Sequence, residues 1–113
     1  MINYEAYTRG SSISITVKAN QITFKKNQGD EVSKEIDKDD LETLKDYVSK
    51  IDFSSLETIN IPSVKHQTDG ALAGVLTIVD TNKKEFITPT FDDDNPPKEL
   101  EPLISLLKDL TKE

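Results

Sequence analysis

Three consecutive aspartates followed by an asparagine are the residues of this chain whose types and spacing could do chemistry. Asp92, Asp93, Asp94 and Asn95 lie in the stretch FDDDNPPKELEP. Carboxylate and amide oxygens are the ligands that calcium prefers, and Asp92 and Asp94 have the alternating spacing of a calcium-binding loop. The same residues could also act as acid catalysts, or simply precede a helix.

An EF-hand loop does not fit this stretch. Counted from Asp92, the sixth position is Pro97 and the twelfth is Leu103, where an EF-hand needs glycine and glutamate. A calcium site of another kind could combine the three aspartates with Asp69 from the preceding loop. Calcium therefore stays an alternative, and we predict no metal site.

The prolines favour the helix interpretation. A residue before proline is pushed to an extended conformation, so Asn95 and Pro96 precede the helix. Proline is tolerated in the first turn of a helix, which suits Pro102. The sequence thus predicts a helix that begins near Lys98 or Glu99, with the aspartates just before its positive end.

Catalytic chemistry has little support in the sequence. His66 is the only histidine, which excludes a multi-histidine metal site. A Ser-His-Asp triad is possible by composition alone, since no nucleophile-elbow motif accompanies it. The absence of cysteine excludes thiolate catalysis and cysteine zinc sites. We therefore predict that the protein is not an enzyme and needs no cofactor, and that His66 is a loop histidine without a role.

Arg9 is the single arginine, and the other thirteen basic residues are lysines. Its planar guanidinium can pair with a carboxylate through two parallel hydrogen bonds. It could clamp Asp69 or one of the three aspartates as an internal bridge, or it could anchor a carboxylate of a partner. The second alternative predicts a binding site, which consists of Arg9, Asp69, Asp92, Asp93, Asp94 and Asn95.

Four segments of the chain carry a resemblance: YTRG at 7–10, PSVKHQTDGALAG at 62–74, FDDDNPP at 91–97, and the leucine-rich last helix. Together they resemble a group of small uncharacterised domains, exported or lipid-anchored, from environmental Gram-negative bacteria. The resemblance implies no known activity, but it implies a mature domain in the periplasm or cell envelope. It singles out a possible cluster of Arg9, Asp69, Asp92, Asn95 and Pro96. This chain departs from the pattern at Asp93 and Asp94, where the family has histidine and glycine.

The charge of the chain limits its partners. The net charge is −7 and the isoelectric point is about 4.7. Nucleic-acid binding requires a basic face, and an anionic membrane would repel an acidic surface. No segment is apolar enough to span a bilayer. The composition therefore predicts a protein partner, preferably a basic one, with a divalent cation as the other charge-compatible choice.

Strands are predicted by alternation of apolar and polar residues. Three short runs place apolar residues on one face: Ile2, Tyr4 and Ala6; Ile13, Ile15 and Val17; Ile22 and Phe24. The run EVSKEI at 31–36 indicates a weaker strand. The segment 71–80 is apolar on both faces, which indicates a central strand, and 85–91 is its predicted partner.

Two helices complete the predicted fold. Apolar spacing predicts one over 37–51, with Asp37 as its N-cap, and a second near the end of the chain. Residues 52–70 have no period and are predicted to be a long loop. We predict one α+β domain over 1–113, with an antiparallel sheet of about five or six strands and both helices packed on one face as a two-layer sandwich.

Two functional hypotheses follow. The first is a non-enzymatic binding module of unknown ligand, exported to the periplasm or envelope. The second is an acidic inhibitor or immunity-type protein that neutralises a basic toxin or enzyme by charge complementarity.

Overall fold

An antiparallel sheet carries two helices on one face in the computed structural model, which describes residues 1–8, 10–27, 29–68 and 71–111. The described residues form seven strands: β1 (Ile2–Thr8), β2 (Ser11–Lys18), β3 (Gln21–Lys26), β4 (Val32–Glu35), β5 (Ala73–Val79), β6 (Glu85–Ile87) and β7 (Phe91–Asp92). The helices are α1 (Lys38–Ser49) and α2 (Glu101–Leu110). The predicted α+β class, antiparallel sheet and pair of helices are confirmed.

The strand order is β4-β3-β2-β1-β5-β6, and β7 also pairs with β5. Every pairing is antiparallel. The first four strands follow one another across the sheet because short turns join them. The crossover to β5 brings β1 into the middle of the sheet, between β2 and β5.

Strict alternation holds in the first strands. Ile2, Tyr4 and Ala6 are buried, and Tyr4 lies opposite Ile15 on β2 and Leu76 on β5. These apolar side chains form one core with Leu100, which directly precedes α2, and with the α2 residues Leu103, Ile104 and Leu107. The core therefore lies between the sheet and the helices, as the alternation predicts.

The predicted partner strand at 85–91 is interrupted by a β-bulge. Thr77 pairs with Ile87 and Gly74 pairs with Phe91, so two residues of β5 face three residues of the other strand. Pro89 lies in this interruption, where its missing N–H breaks no ladder bond. Thr88 compensates, since its hydroxyl accepts a hydrogen bond from Leu76 N at 3.1 Å.

The extra residue reverses which side chains face the core. Without it, alternation from Phe86 and Thr88 would direct Asp92 inward. With it, Phe91 pairs with Gly74 and is fully buried on the helix side. Asp92 pairs with Ala73, which lies opposite Tyr7, and therefore faces the other side of the sheet.

Three local predictions are corrected. Asp37 occupies the N-cap position of α1, but its side chain makes no capping hydrogen bond. Helix α2 begins at Glu101 rather than at Lys98 or Glu99, because a separate turn precedes it in which Leu100 N bonds Pro97 O at 2.9 Å. The predicted loop 52–70 contains two short 3-10 helices, Phe53–Thr58 and Lys65–Thr68.

The first 3-10 helix packs on the sheet through Phe53, whose ring centroid lies 5.2 Å from that of Phe86 on β6. The second lies against β7. No helix among the described residues is long and apolar enough to cross a membrane.

Candidate functional site

Asp92 anchors the second 3-10 helix to the outer side of the sheet. It is fully buried, and one of its oxygens, Oδ1, accepts from the backbone N of His66 at 2.7 Å. The ring Nδ1 of His66 contacts the same oxygen at 2.8 Å. Because a carboxylate can only accept, Nδ1 carries the proton. The other oxygen, Oδ2, accepts from the hydroxyl of Ser63.

Ser63 extends this network to Asn95. The Nδ2 of Asn95 donates to Ser63 Oγ at 3.0 Å, and the backbone N of Asn95 donates to Asp92 O at 3.0 Å. The hydroxyl of Ser63 thus donates its hydrogen bond to the carboxylate of Asp92 and not to the imidazole of His66. In a catalytic triad the nucleophile bonds the histidine, so this arrangement positions the loop and gives Ser63 no general base.

Asp93 likewise joins two elements, but on the side of the sheet that faces the helices. The hydroxyl of Tyr4 donates to Asp93 Oδ1, and Lys108 Nζ of α2 lies 2.9 Å from that oxygen. Lys108 Nζ also donates to the backbone O of Asp93 at 3.3 Å. Burial, and then the hydrogen bond and negative charge of Asp93, raise the pKa of Tyr4 well above its ordinary value.

A glycine makes room for this contact. A Cβ at Gly74 would lie 2.7 Å from Tyr4 Oη and 3.2 Å from an atom of the Phe91 ring. The rings of Tyr4 and Phe91 stack with centroids 6.1 Å apart. Gly74 is therefore required by close approach, which allows the tyrosine hydroxyl to reach Asp93.

We call the residues joined by Asp92 and Asp93 the aspartate clasp, which consists of Tyr4, Ser63, His66, Asp92, Asp93, Asn95 and Lys108. Two neighbouring carboxylates point to opposite sides of the sheet, and each binds a different element.

The predicted binding residues have separate fates. Asp92, Asp93 and Asn95 take part in the clasp, and Asp94 is exposed. Arg9 and Asp69 lie outside the described residues, so their predicted bridge or binding role stays a prediction. Asp92 and Asp93 face opposite sides and cannot converge on one ion, and the described part of the chain contains no group of three acidic or histidine side chains that could hold a metal.

His66 is the residue of the clasp that sequence reasoning missed. Its side chain is 10% exposed and contacts a fully buried carboxylate, whereas the sequence predicted a loop histidine without a role. The sequence did indicate that Asp92 needs hydrogen-bond donors, because an aspartate inside an apolar strand is buried. Its partner could not be identified because the bulge, which decides the direction of Asp92, is not visible as a period.

The opposite end of β1 and β5 carries an open groove of about 700 Å³. We call it the apolar groove. It lies between the sheet and α1, and its main apolar lining residues are Ile2, Val17, Leu41, Val48, Phe53 and Ile78. Leu44 is the only fully buried residue of α1, so this helix covers the end of the sheet incompletely.

The rim of the apolar groove is polar. Lys45 and Ser49 of α1 lie on one side, and Asp80 and Thr81 lie on the other. Asp80 is engaged in its own turn, where Oδ1 accepts from Asn82 N at 2.8 Å and from Lys84 N at 3.0 Å. An apolar interior with few polar groups at the edge is the usual composition of a small-molecule site.

Neither a protein-family model, nor a curated protein, nor a solved structure matches this chain. Its function is therefore argued from its own residues.

Proposed function

We propose that this domain is a non-enzymatic binding module and that an apolar ligand occupies the apolar groove. The observation that carries the proposal is the groove itself, an apolar concavity of about 700 Å³ between α1 and the end of the sheet. Ligand sites commonly enclose about 300–1,000 Å³ and are mostly apolar.

The aspartate clasp is a less favourable ligand site than the apolar groove. Its carboxylates already bind donors of the protein, so a ligand there would have to displace buried hydrogen bonds, each costing about 1–3 kcal/mol. A ligand in the groove would displace only water from apolar surface, which is favourable by about 25 cal/mol per Å². The groove is thus the better site on energetic grounds.

Nile red, a neutral dye whose fluorescence rises in apolar surroundings, tests the proposal. We expect saturable binding with one site per chain. The Val48→Phe variant should weaken it at least tenfold, because the larger ring projects into the groove and takes up space that the ligand needs. Thr43→Phe is the matched control, since Thr43 is exposed on the same helix and does not line the groove.

Equal dye binding by the Val48→Phe and Thr43→Phe variants would show that the dye binds elsewhere. No saturable binding to the unmodified protein would count against the proposed function itself. Melting temperatures of both variants show whether either substitution disturbs the fold.

An acidic inhibitor of a basic protein is the second candidate, and one surface favours it. Asp39, Glu42 and Asp46 are exposed at spacings of three and four residues, so they form an acidic stripe on the solvent side of α1. The net charge of −7 adds to its field. Charge complementarity of this kind would raise the association rate with a basic partner.

The two candidates differ in which variants break binding. A basic protein that is identified at low salt, lost with Asp39→Lys and Glu42→Lys together, and retained by Val48→Phe would favour the inhibitor. The resemblance to exported domains, and the location outside the cytoplasm that it implies, stay predictions.

A further inference from the structure

We propose that the ligand of the apolar groove is a free fatty acid, whose carboxylate pairs with Lys45 at the rim while its chain lies along the groove. This inference rests on the proposed function, because it names the ligand class of the same site. Lys45 lines the groove and is exposed. Within the part of the chain that the structure describes, its side chain has neither an ion pair nor a hydrogen bond.

The position of Lys45 on α1 suits this task. It follows Leu41 by one helical turn and lies next to Leu44, so its stem runs beside the apolar stripe that faces the groove. A lysine in such a position lays its methylenes on apolar surface and keeps its ammonium in water. The ammonium therefore stands at the mouth, where the head group of an inserted chain would emerge.

The next lysine along the helix is not available in this way. Lys50 Nζ lies 3.1 Å from Asp46 Oδ2 in an ion pair on the surface. The acidic residue at the rim, Asp80, accepts hydrogen bonds from the backbone N–H groups of Asn82 and Lys84 in its own turn. Thr81 adds an uncharged donor at the same rim, whereas the hydroxyl of Ser49 donates to Asp46 O at 2.7 Å. Among the described residues at the rim, Lys45 thus offers a side-chain ammonium without an ion pair and Thr81 offers a hydroxyl, a combination that favours an anionic head group.

The net charge of −7 opposes an anionic ligand at long range. At physiological salt the Debye length is about 8 Å, so exposed acids farther from the mouth than this contribute little. A contact with Lys45 is short-ranged and is screened less. Pairing with Lys45 should therefore decide which head group is preferred. The alkyl chain of the ligand supplies most of the affinity, about fourfold for each methylene that becomes fully buried.

Three ligands with the same chain and different heads test the inference: dodecanoate, 1-dodecanol and dodecyltrimethylammonium. Each is titrated calorimetrically into the whole protein below its aggregation concentration. We expect dodecanoate to bind most tightly and the cation most weakly. The opposite order is expected if net charge dominates, because an acidic protein attracts the cation. Alcohol or cation binding as tight as that of dodecanoate would overturn the inference.

Lys45→Gln and Lys25→Gln make the same change of charge at two places. Lys25 is exposed on strand β3 and does not line the groove. Lys45→Gln should weaken dodecanoate about three- to fivefold, the size expected for an exposed ion pair, and leave 1-dodecanol within twofold. Lys25→Gln should change neither. An unchanged ratio of dodecanoate to dodecanol affinity in Lys45→Gln would also overturn the inference.

The set of ligands that bind separates the fatty-acid proposal from the proposal that the groove is a binding site. If Nile red and 1-dodecanol bind but dodecanoate gains nothing from Lys45, the groove is a binding site for neutral ligands. If none of these ligands binds, both proposals fail together. A concentration-dependent dimer that Val48→Phe abolishes would assign the groove to a second copy of the chain, and would equally overturn the fatty-acid proposal.

Discussion

The two ends of strands β1 and β5 are held to the rest of the protein by different kinds of contact. At one end, Asp92 and Asp93 bind donors on both sides of the sheet and join it to a loop and to α2. At the other end, α1 lies over apolar side chains and leaves a groove of about 700 Å³. Polar groups fix the geometry at the clasp, whereas apolar contacts without direction define the groove.

The difference shows where each end can tolerate change. A buried carboxylate is stable only with its donors in place, so removal of one partner leaves the others unsatisfied. An open apolar surface has no such requirement, since water already reaches it. Substitutions at the clasp should therefore be costly, and those at the groove should be cheap or even favourable.

The largest effect is expected at Asp92. Its replacement in Asp92→Ala leaves the backbone N and ring Nδ1 of His66 and the hydroxyl of Ser63 without their acceptor. We expect a loss of about 3–4 kcal/mol in the free energy of unfolding. Urea denaturation measures this loss. Glu99→Ala is the control, because Glu99 is exposed, and it should stay within about 0.5 kcal/mol. Similar values for the two variants would contradict the anchoring role of Asp92.

Gly74→Ala should have the next largest effect. The added Cβ would lie 2.7 Å from Tyr4 Oη, in a site closed by Phe91. We expect a loss of about 2–3 kcal/mol, the cost of overpacking a core. The double variant with Tyr4→Phe decides the cause. If the hydroxyl is the obstacle, Gly74→Ala should cost less in the Tyr4→Phe background than alone.

Tyr4→Phe alone should cost about 1–2 kcal/mol at neutral pH, because it removes the hydrogen bond to Asp93. The raised pKa of Tyr4 adds a pH dependence. An unfolded tyrosine ionises near pH 10, whereas folded Tyr4 keeps its proton, so the unfolded state binds fewer protons and stability falls as pH rises above about 10.

The advantage of the unmodified protein over Tyr4→Phe should therefore shrink between about pH 9 and about pH 11. Denaturation curves of both proteins at the two pH values measure this difference in the free energy of unfolding. An advantage that stays constant over this range would mean that Tyr4 titrates alike in both states.

The smallest effect is expected at the groove, where Ala19 lines the opening and adopts φ of 55°. Glycine tolerates this left-handed conformation without the strain that a Cβ introduces. Ala19→Gly should therefore stabilise the protein by about 0.5 kcal/mol, measured as a higher urea midpoint. Ala19→Val should do the reverse, since a β-branched residue suits this region least. Destabilisation by glycine would show that the methyl group of Ala19 contributes packing that outweighs its strain.

Elements with a strong period could be predicted from the sequence. Alternation placed Tyr4 and Ile15 inward, and the apolar spacing near the end of the chain predicted the helix whose Leu103 and Leu107 lie in the core. These predictions succeeded because the hydrophobic effect acts on whole faces of strands and helices, and a face is visible in the spacing of residues.

The candidate sites could not be predicted in the same way. The bulge near Pro89 reverses the direction of Asp92, and one inserted residue is invisible to a search for periods. In the turn after β2, the left-handed conformation falls on Ala19, although the neighbouring Asn20 is the residue type that favours it. The groove depends on how closely α1 approaches the sheet, which the apolar stripe of a helix does not specify.

The hydrogen bond between Tyr4 and Asp93 also has a kinetic consequence, because it joins residues 89 positions apart. The hairpins of β1, β2 and β3 can form from neighbours in the chain, whereas this contact needs almost the whole polypeptide to be in place. We expect it to form after the rate-limiting barrier of folding. Weakening it should then accelerate unfolding and leave the folding rate almost unchanged, so the clasp would set the lifetime of the folded state.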